Sequence, residues 1–211
     1  GMPVGLIQTS LGGSPMERWN PKDGDLYLNM LDKIHQTGGK YAGVLWYQGC
    51  SDTNPGPAEK YLEHFREYVE ATRKELGYEI PFFTMQLNRQ INGINDECWG
   101  MVRDAQARAA KEIPGVSVLT TSNLSLCDGI HNTAQANVAL GEKLAKQCAH
   151  VLNGKEEYQP PELVKVERAD EAERKSFQLE GSGIWLKLTC DHVKNCFLVY
   201  SAVGKDSGFT L

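Results

Sequence analysis

The chain has 211 residues, 41% hydrophobic and 23% charged, with a net charge of −5. That composition is of an ordinary globular protein and excludes a disordered chain. No apolar run approaches the roughly 20 residues a membrane helix needs, and the start lacks the charged and apolar pattern of a signal peptide. The acidic balance, with Lys and Arg scattered rather than gathered in a stripe, argues against a nucleic-acid partner. Domains usually run to roughly 100–200 residues, so there is room for one sizeable core and part of a second module.

Short apolar runs alternate with longer helical patterns, which predicts a parallel sheet with crossover helices. Val4 to Gln8 reads as a strand. A helix over Asp25–Gln36 follows, with Leu26, Leu28, Met30, Leu31 and Ile34 as its apolar face and Gly38-Gly39 as its stop. Ala42–Tyr47 reads as a buried strand. Ala58–Leu76 reads as a long amphipathic helix carrying Leu62, Phe65, Val69 and Leu76, ended by Gly77. Pro81–Leu87 is the next strand, Glu97–Glu112 a helix, Val116–Thr120 a strand, and Thr133–Leu152 the closing helix with Val138, Leu140, Leu144 and Val151 inward. After Asn153-Gly154 the texture changes. Tyr158-Gln159-Pro160-Pro161 is a linker, and Ile184–Leu188 and Phe197–Tyr200 alternate in the strand manner, with Gly208–Leu211 opening another. Residues 1–154 therefore read as an α/β domain and 155–211 as a partial β-rich module.

Chemistry concentrates in the loops. Asp128-Gly129-Ile130-His131, ahead of the closing helix, puts a carboxylate and an imidazole on one turn, where the acid can orient a general base. Gly12-Gly13-Ser14 lies just past the first strand, where open α/β sheets place their sites, and a glycine there lets a backbone N–H approach an oxyanion. Gln48-Gly49-Cys50-Ser51 follows the second strand, beside Trp46 and Tyr47, whose rings fit either a sugar-stacking wall or the core. His35, His64, His150 and His192 have no acid at triad spacing. No His and carboxylate cluster suggests a metal, and six cysteines without Cys-x-x-Cys spacing read as buried free thiols, a disulfide between some pair being the alternative for an exported protein.

In this order the three loop motifs resemble the SGNH-hydrolase superfamily, and within it the sialate O-acetylesterase and acetylxylan esterase group. The resemblance implies a three-layer α/β/α sandwich with a flavodoxin-like parallel sheet, followed by a partial antiparallel β module. It implies carbohydrate O-acetylesterase activity on an acetylated sugar or glycan without a cofactor, and periplasmic or secreted relatives; sialic acid and xylan esters both fit. It makes His131 the general base and Asp128 its orienting acid, with Gly13, favoured over Gly12, and the Gln48 amide as oxyanion donors. Gly12, Gly49, Cys50 and Trp46 would line the site. Cys50 stands where relatives carry glutamate. Arg103-Asp104-Ala105-Gln106 resembles an Arg-Glu-Ala-Gln pattern that braces the sheet edge.

Relatives place the nucleophile in a Gly-Gln-Ser-Asn-Met-like block upstream of the Gly12-Gly13 loop, and no such block occurs here. Ser10, Ser14, Ser51, Ser122 and Ser125 all lack the strand-to-helix context of that nucleophile. The chain is accordingly expected to be a fragment lacking the serine and an interior strand, with self-association through the slot that strand would fill. Two other readings compete: an inactive carbohydrate-binding or assembly protein of the same fold, and a cysteine hydrolase in which Cys50 attacks.

Overall fold

The structure, a computed structural model, describes residues 3–154, 162–176 and 185–193. Its contacts divide the chain into two units, Gly1–Asn153 and Gly154–Leu211. In the first unit the elements run α1 (Asp25–Thr37), β1 (Val44–Trp46), α2 (Pro57–Leu76), β2 (Phe82–Met85), α3 (Asp96–Glu112), β3 (Val116–Leu119) and α4 (Ala134–Asn153). Single 3-10 turns at Met16–Trp19 and Cys50–Asp52 shape the loops.

The three strands form a parallel sheet in the order β1-β2-β3, with Leu45 opposite Phe83 and Phe83 opposite Ser117. Successive strands step one way across the sheet, so right-handed crossovers place α2 and α3 on the same face. Side chains alternate along a strand, and β2 is buried on both faces. Phe82 enters the main core with Trp46, Val116 and the inner faces of α1, α2 and α3. Phe83 and Met85 point to the opposite face, where α4 packs with Ala136 and Leu140 buried. The result is a three-layer α/β/α arrangement.

Local chemistry sets the helix limits. Pro57 occupies the first position of α2, Glu59 reaches back to the Gly56 N–H at 2.5 Å, and Gly77 ends the helix in the left-handed conformation at φ 76°. On α2 the buried set is Tyr61, Phe65, Tyr68, Val69 and Thr72, spaced three or four apart. Trp46 packs edge-on to Trp19 at 5.1 Å and tilts against Tyr68 at 4.6 Å, so aromatic rings fill the space between sheet and helix. Buried Arg73 ties the end of α2 to the approach to β2 through Ile80 O at 3.2 Å and to the approach to β3 through Pro114 O at 2.8 Å.

Three expectations are corrected by the structure. Val4–Gln8 does not form a strand: it runs without regular pairing, Val4 and Leu6 are 81% and 80% exposed, and the outer edge of β1 stays open with Leu45 47% exposed. The alternating pattern is strand-like, but a strand exists only where a neighbour takes its N–H and C=O groups. On α1 the buried positions are Leu26, Tyr27 and Met30, with Leu28 half exposed. On the inward face expected for α4, Val138 and Val151 are likewise turned outward.

The second unit contains β4 (Glu162–Arg168), the short helix α5 (Glu171–Ser176) and β5 (Leu186–Asp191), with β4 and β5 antiparallel. The helix was not expected in a β-rich module; Asp170 caps it by accepting from Glu173 N at 2.8 Å. The linker at 158–161, Phe197–Tyr200 and Gly208–Leu211 lie outside the described residues. No described helix is long and apolar enough to cross a membrane.

Candidate active site

Parallel strands deliver their following loops to one edge of the sheet, and all the chemistry-bearing motifs lie there. The turn after β3 is closed by backbone bonds from Cys127 N to His131 O at 2.9 Å and from Thr133 N to Ser125 O at 3.0 Å. Within it Asp128 Oδ1 accepts the His131 N–H at 2.7 Å and the Ile130 N–H at 2.8 Å, while Oδ2 meets His131 Nδ1 at 2.7 Å. These donors, the His131 backbone N–H first, hold the Asp128 carboxyl down to about 2. The acid is thus ionised, and it fixes the ring with Nε2 turned outward. The side chains remain 51% and 65% exposed, so the pair forms the lip of the site.

The next residue, Asn132, is anchored inward. It donates to Tyr47 Oη at 3.2 Å and to Asn137 Oδ1 at 3.1 Å, and accepts from buried Asn88 at 2.6 Å. This buried amide network links the loops after β1, β2 and β3. From the β2 loop, Ile91 N donates to Gly129 O at 3.0 Å, and Asn92 packs so close that a Cβ on Gly129 would overlap its side chain.

The loops of Gly12-Gly13 and Gln48 are bonded to each other. Ser51 Oγ donates to Gly13 O at 2.9 Å, Gln48 Nε2 donates to Ser14 O at 2.9 Å, and Met16 N donates to Asp52 at 3.0 and 3.1 Å. Gly13 takes a φ of +72° that only glycine adopts without strain, whereas Gly12 has no such constraint. Gln48 Nε2 also donates to Asp52 Oδ2 at 2.5 Å, so both amide hydrogens are committed and Oε1 is buried without a partner. The Gln48 carbonyl is held by Tyr61 Oη at 3.0 Å and Gln106 Nε2 at 2.9 Å. Gln106 also accepts from Leu87 N at 2.8 Å, and Arg103 donates to Leu87 O and to Ser122 Oγ, so the two α3 residues brace all three loops.

Other expected site residues fall elsewhere. Trp46 is not site-lining: it is buried in the aromatic core, because it projects from the inner face of β1 while Tyr47 turns toward the site. Gly49 is buried at φ 144°, where an added Cβ would come within 2.9 Å of Gln106 Nε2. Cys50 is half-buried, and its thiol is pushed up by burial, with the charges of Asp128 and Asp52 adding to the effect. A thiol held protonated is a poor nucleophile, which weighs against Cys50 as the attacking group. Iodoacetamide at neutral pH is expected to label Cys50 more slowly than the exposed Cys127, read by peptide mass spectrometry.

Four of the five candidate serines are engaged away from the histidine. Ser14 Oγ donates to Leu11 O and accepts from Trp19 Nε1, Ser51 bonds Gly13 O, Ser122 receives Arg103, and Ser125 pairs with Thr133. Among the described residues no serine hydroxyl bonds His131. Nor does any described group of three or more His, Cys, Asp or Glu side chains fit a metal ion. A cavity of about 380 Å³ borders Met16, Asp52 and His64 rather than the His131 ring.

Sequence reasoning placed Arg103 and Gln106 as braces of this edge but missed Asp52, Asn132 and Asn88. Asp52 had a local signal, a carboxylate four residues after Gln48. The others are joined only by the fold.

Comparison with known proteins agrees with this architecture. A probable carbohydrate esterase of Arabidopsis thaliana is 28% identical over 149 residues, covering 68% of this chain and 54% of its own length. The crystal structure of an Arabidopsis thaliana protein superposes with a TM-score of 0.59 at 26% identity, covering 67% of this chain and 58% of that one. A carbohydrate acetylesterase of Xanthomonas citri gives a TM-score of 0.62 at 26% identity, covering 74% of this chain and 39% of that one. The chain thus spans about half the length of the relatives it matches. Residues 1–150 match the family described as carbohydrate esterase, sialic acid-specific acetylesterase, and the chain belongs to that SGNH-like family.

Proposed function

We propose that this protein contributes the base, the orienting acid and the oxyanion loop of a carbohydrate O-acetylesterase that works by a serine, histidine and aspartate mechanism. The observation that carries the reading is the Asp128–His131 pair, bonded at 2.7 Å on the same sheet edge as the Gly13 loop. His131 would take the proton of the attacking hydroxyl and return it to the departing sugar alcohol. Asp128 would hold the ring and stabilise the imidazolium. Gly13 would offer its backbone N–H to the tetrahedral oxyanion, with Gln48 fixing the loop that aims it.

The nucleophile in this reading is a serine from a segment preceding Gly1. Two features support that source: every candidate serine in the site loops other than Ser10 is bonded elsewhere, and β1 ends the sheet with an open outer edge, Leu45 exposed on it. A strand seated at that edge would pair its free backbone groups. Without it, the same edge would favour pairing with a second copy. The reading is tested by acetate release from O-acetylated sialic acid and acetylated xylan by the protein extended upstream. Release from either supports an acetylesterase and assigns its substrate, and release from neither would overturn it.

A further inference from the structure

Resting on that esterase reading, we propose that Asp52 is a positioning residue, whose buried carboxylate clamps the Gly13 loop to Gln48. Gln48 then acts as a strut for the oxyanion loop, and the backbone at Gly13 faces the substrate. Asp52 is 3% exposed and is the meeting point of the two loops. Its oxygens accept the Met16 N–H at 3.0 and 3.1 Å, and Oδ2 accepts Gln48 Nε2 at 2.5 Å. Met16 lies three residues after Gly13, and the second Gln48 hydrogen goes to Ser14 O at 2.9 Å, so the clamp grips the backbone on both sides of Pro15.

The chemistry fixes the orientation of the amide. A backbone carbonyl only accepts, so the NH₂ of Gln48 must face Ser14 O, which aims its second hydrogen at Asp52 Oδ2; turning the amide would set Oε1 against the Ser14 carbonyl. With both hydrogens used, Gln48 has nothing left to donate to an oxyanion. Its free atom, Oε1, is an acceptor and would repel one. The clamp is also held at a cost: burial pushes the Asp52 carboxyl above its ordinary range despite the Gln48 and Met16 donors. A carboxylate raised in the folded state favours folding below its unfolded value, and that contribution is lost as pH rises through the folded one. Where the carboxyl is ionised its charge therefore opposes stability, which fits a residue kept for what it positions.

Hydrogen exchange followed by NMR on the 211-residue chain tests the clamp without any need for turnover. Asp52→Ala is expected to speed exchange of the Met16 amide at least tenfold, while the β2 amides, such as Phe83, keep their protection. Asp52→Asn retains one acceptor oxygen and should fall between wild type and Asp52→Ala; it also serves if the alanine variant does not fold. In the upstream-extended protein the same order should appear in kcat, with KM for the acetylated sugar moving far less. Equal Met16 exchange in wild type and both variants would overturn the clamp. A raised KM with unchanged kcat would overturn the positioning role and make Asp52 a substrate-binding group. If the extended protein proves inactive, the esterase reading fails, while the exchange result still decides whether Asp52 joins the loops.

Discussion

Replacing His131 with alanine in the upstream-extended protein is expected to lower kcat on an acetylated sugar by on the order of a millionfold, the loss typical of removing the base from a triad that acts as a unit. KM should change little, because His131 sits on an exposed lip and acts on the reacting proton rather than on the bulk of the sugar. The substitution should not unfold the protein. The His131 side chain is 65% exposed and its ring bonds only Asp128, so circular dichroism of the variant should match wild type.

Asp128→Asn is expected to cost about ten-thousandfold in kcat, as loss of the orienting acid does where the imidazole is left in the wrong tautomer. The turn itself should keep its geometry, because asparagine retains an oxygen to accept the Ile130 and His131 N–H groups that Oδ1 accepts, while the Oδ2 acceptor that holds the ring is replaced by a donor. The pH dependence separates the two residues. Asp128 is depressed to about 2, so its contribution to the turn is present above the unfolded carboxylate range and is lost only as pH falls through that low value. Acid loss of activity well above pH 2 therefore belongs to other groups. A rate profile whose acid limb disappeared in Asp128→Asn while kcat stayed high would contradict the assignment.

Much of the α/β layer was legible because its helices obey a strong local period. Gly38 and Gly77 mark ends that the structure places at the same residues, and Val44–Trp46, Phe82–Met85 and Val116–Leu119 lie inside the expected apolar runs. Val4–Gln8 failed for a non-local reason: alternation describes what a strand would bury, whereas pairing requires a neighbour at the right edge. The face of α1 was misjudged at Leu28, since a run of leucines fits several helical faces and only packing against Tyr68 selects Tyr27 instead.

The site was legible where residues are close in sequence. Asp128 and His131 are three apart on one turn, and their types alone suggest a bond. Asn88 and Asn132 are 44 apart, and Gln48 and Gln106 are 58 apart, so nothing in spacing announces their contacts. Trp46 shows the opposite problem. Its position beside Gln48 left a sugar wall and the core both open, and alternation along β1 sends it into the core and Tyr47 outward.

The most direct test measures acetate release from p-nitrophenyl acetate and an acetylated sugar by the 211-residue chain, by the protein extended upstream, and by the extended protein with its added serine replaced by alanine. A base and an oxyanion loop without a nucleophile can at most activate water, so the account predicts near-background rates for the first and third, and robust turnover for the second. Turnover by the 211-residue chain that survives replacement of Ser10, Ser14, Ser51, Ser122 and Ser125 would contradict it.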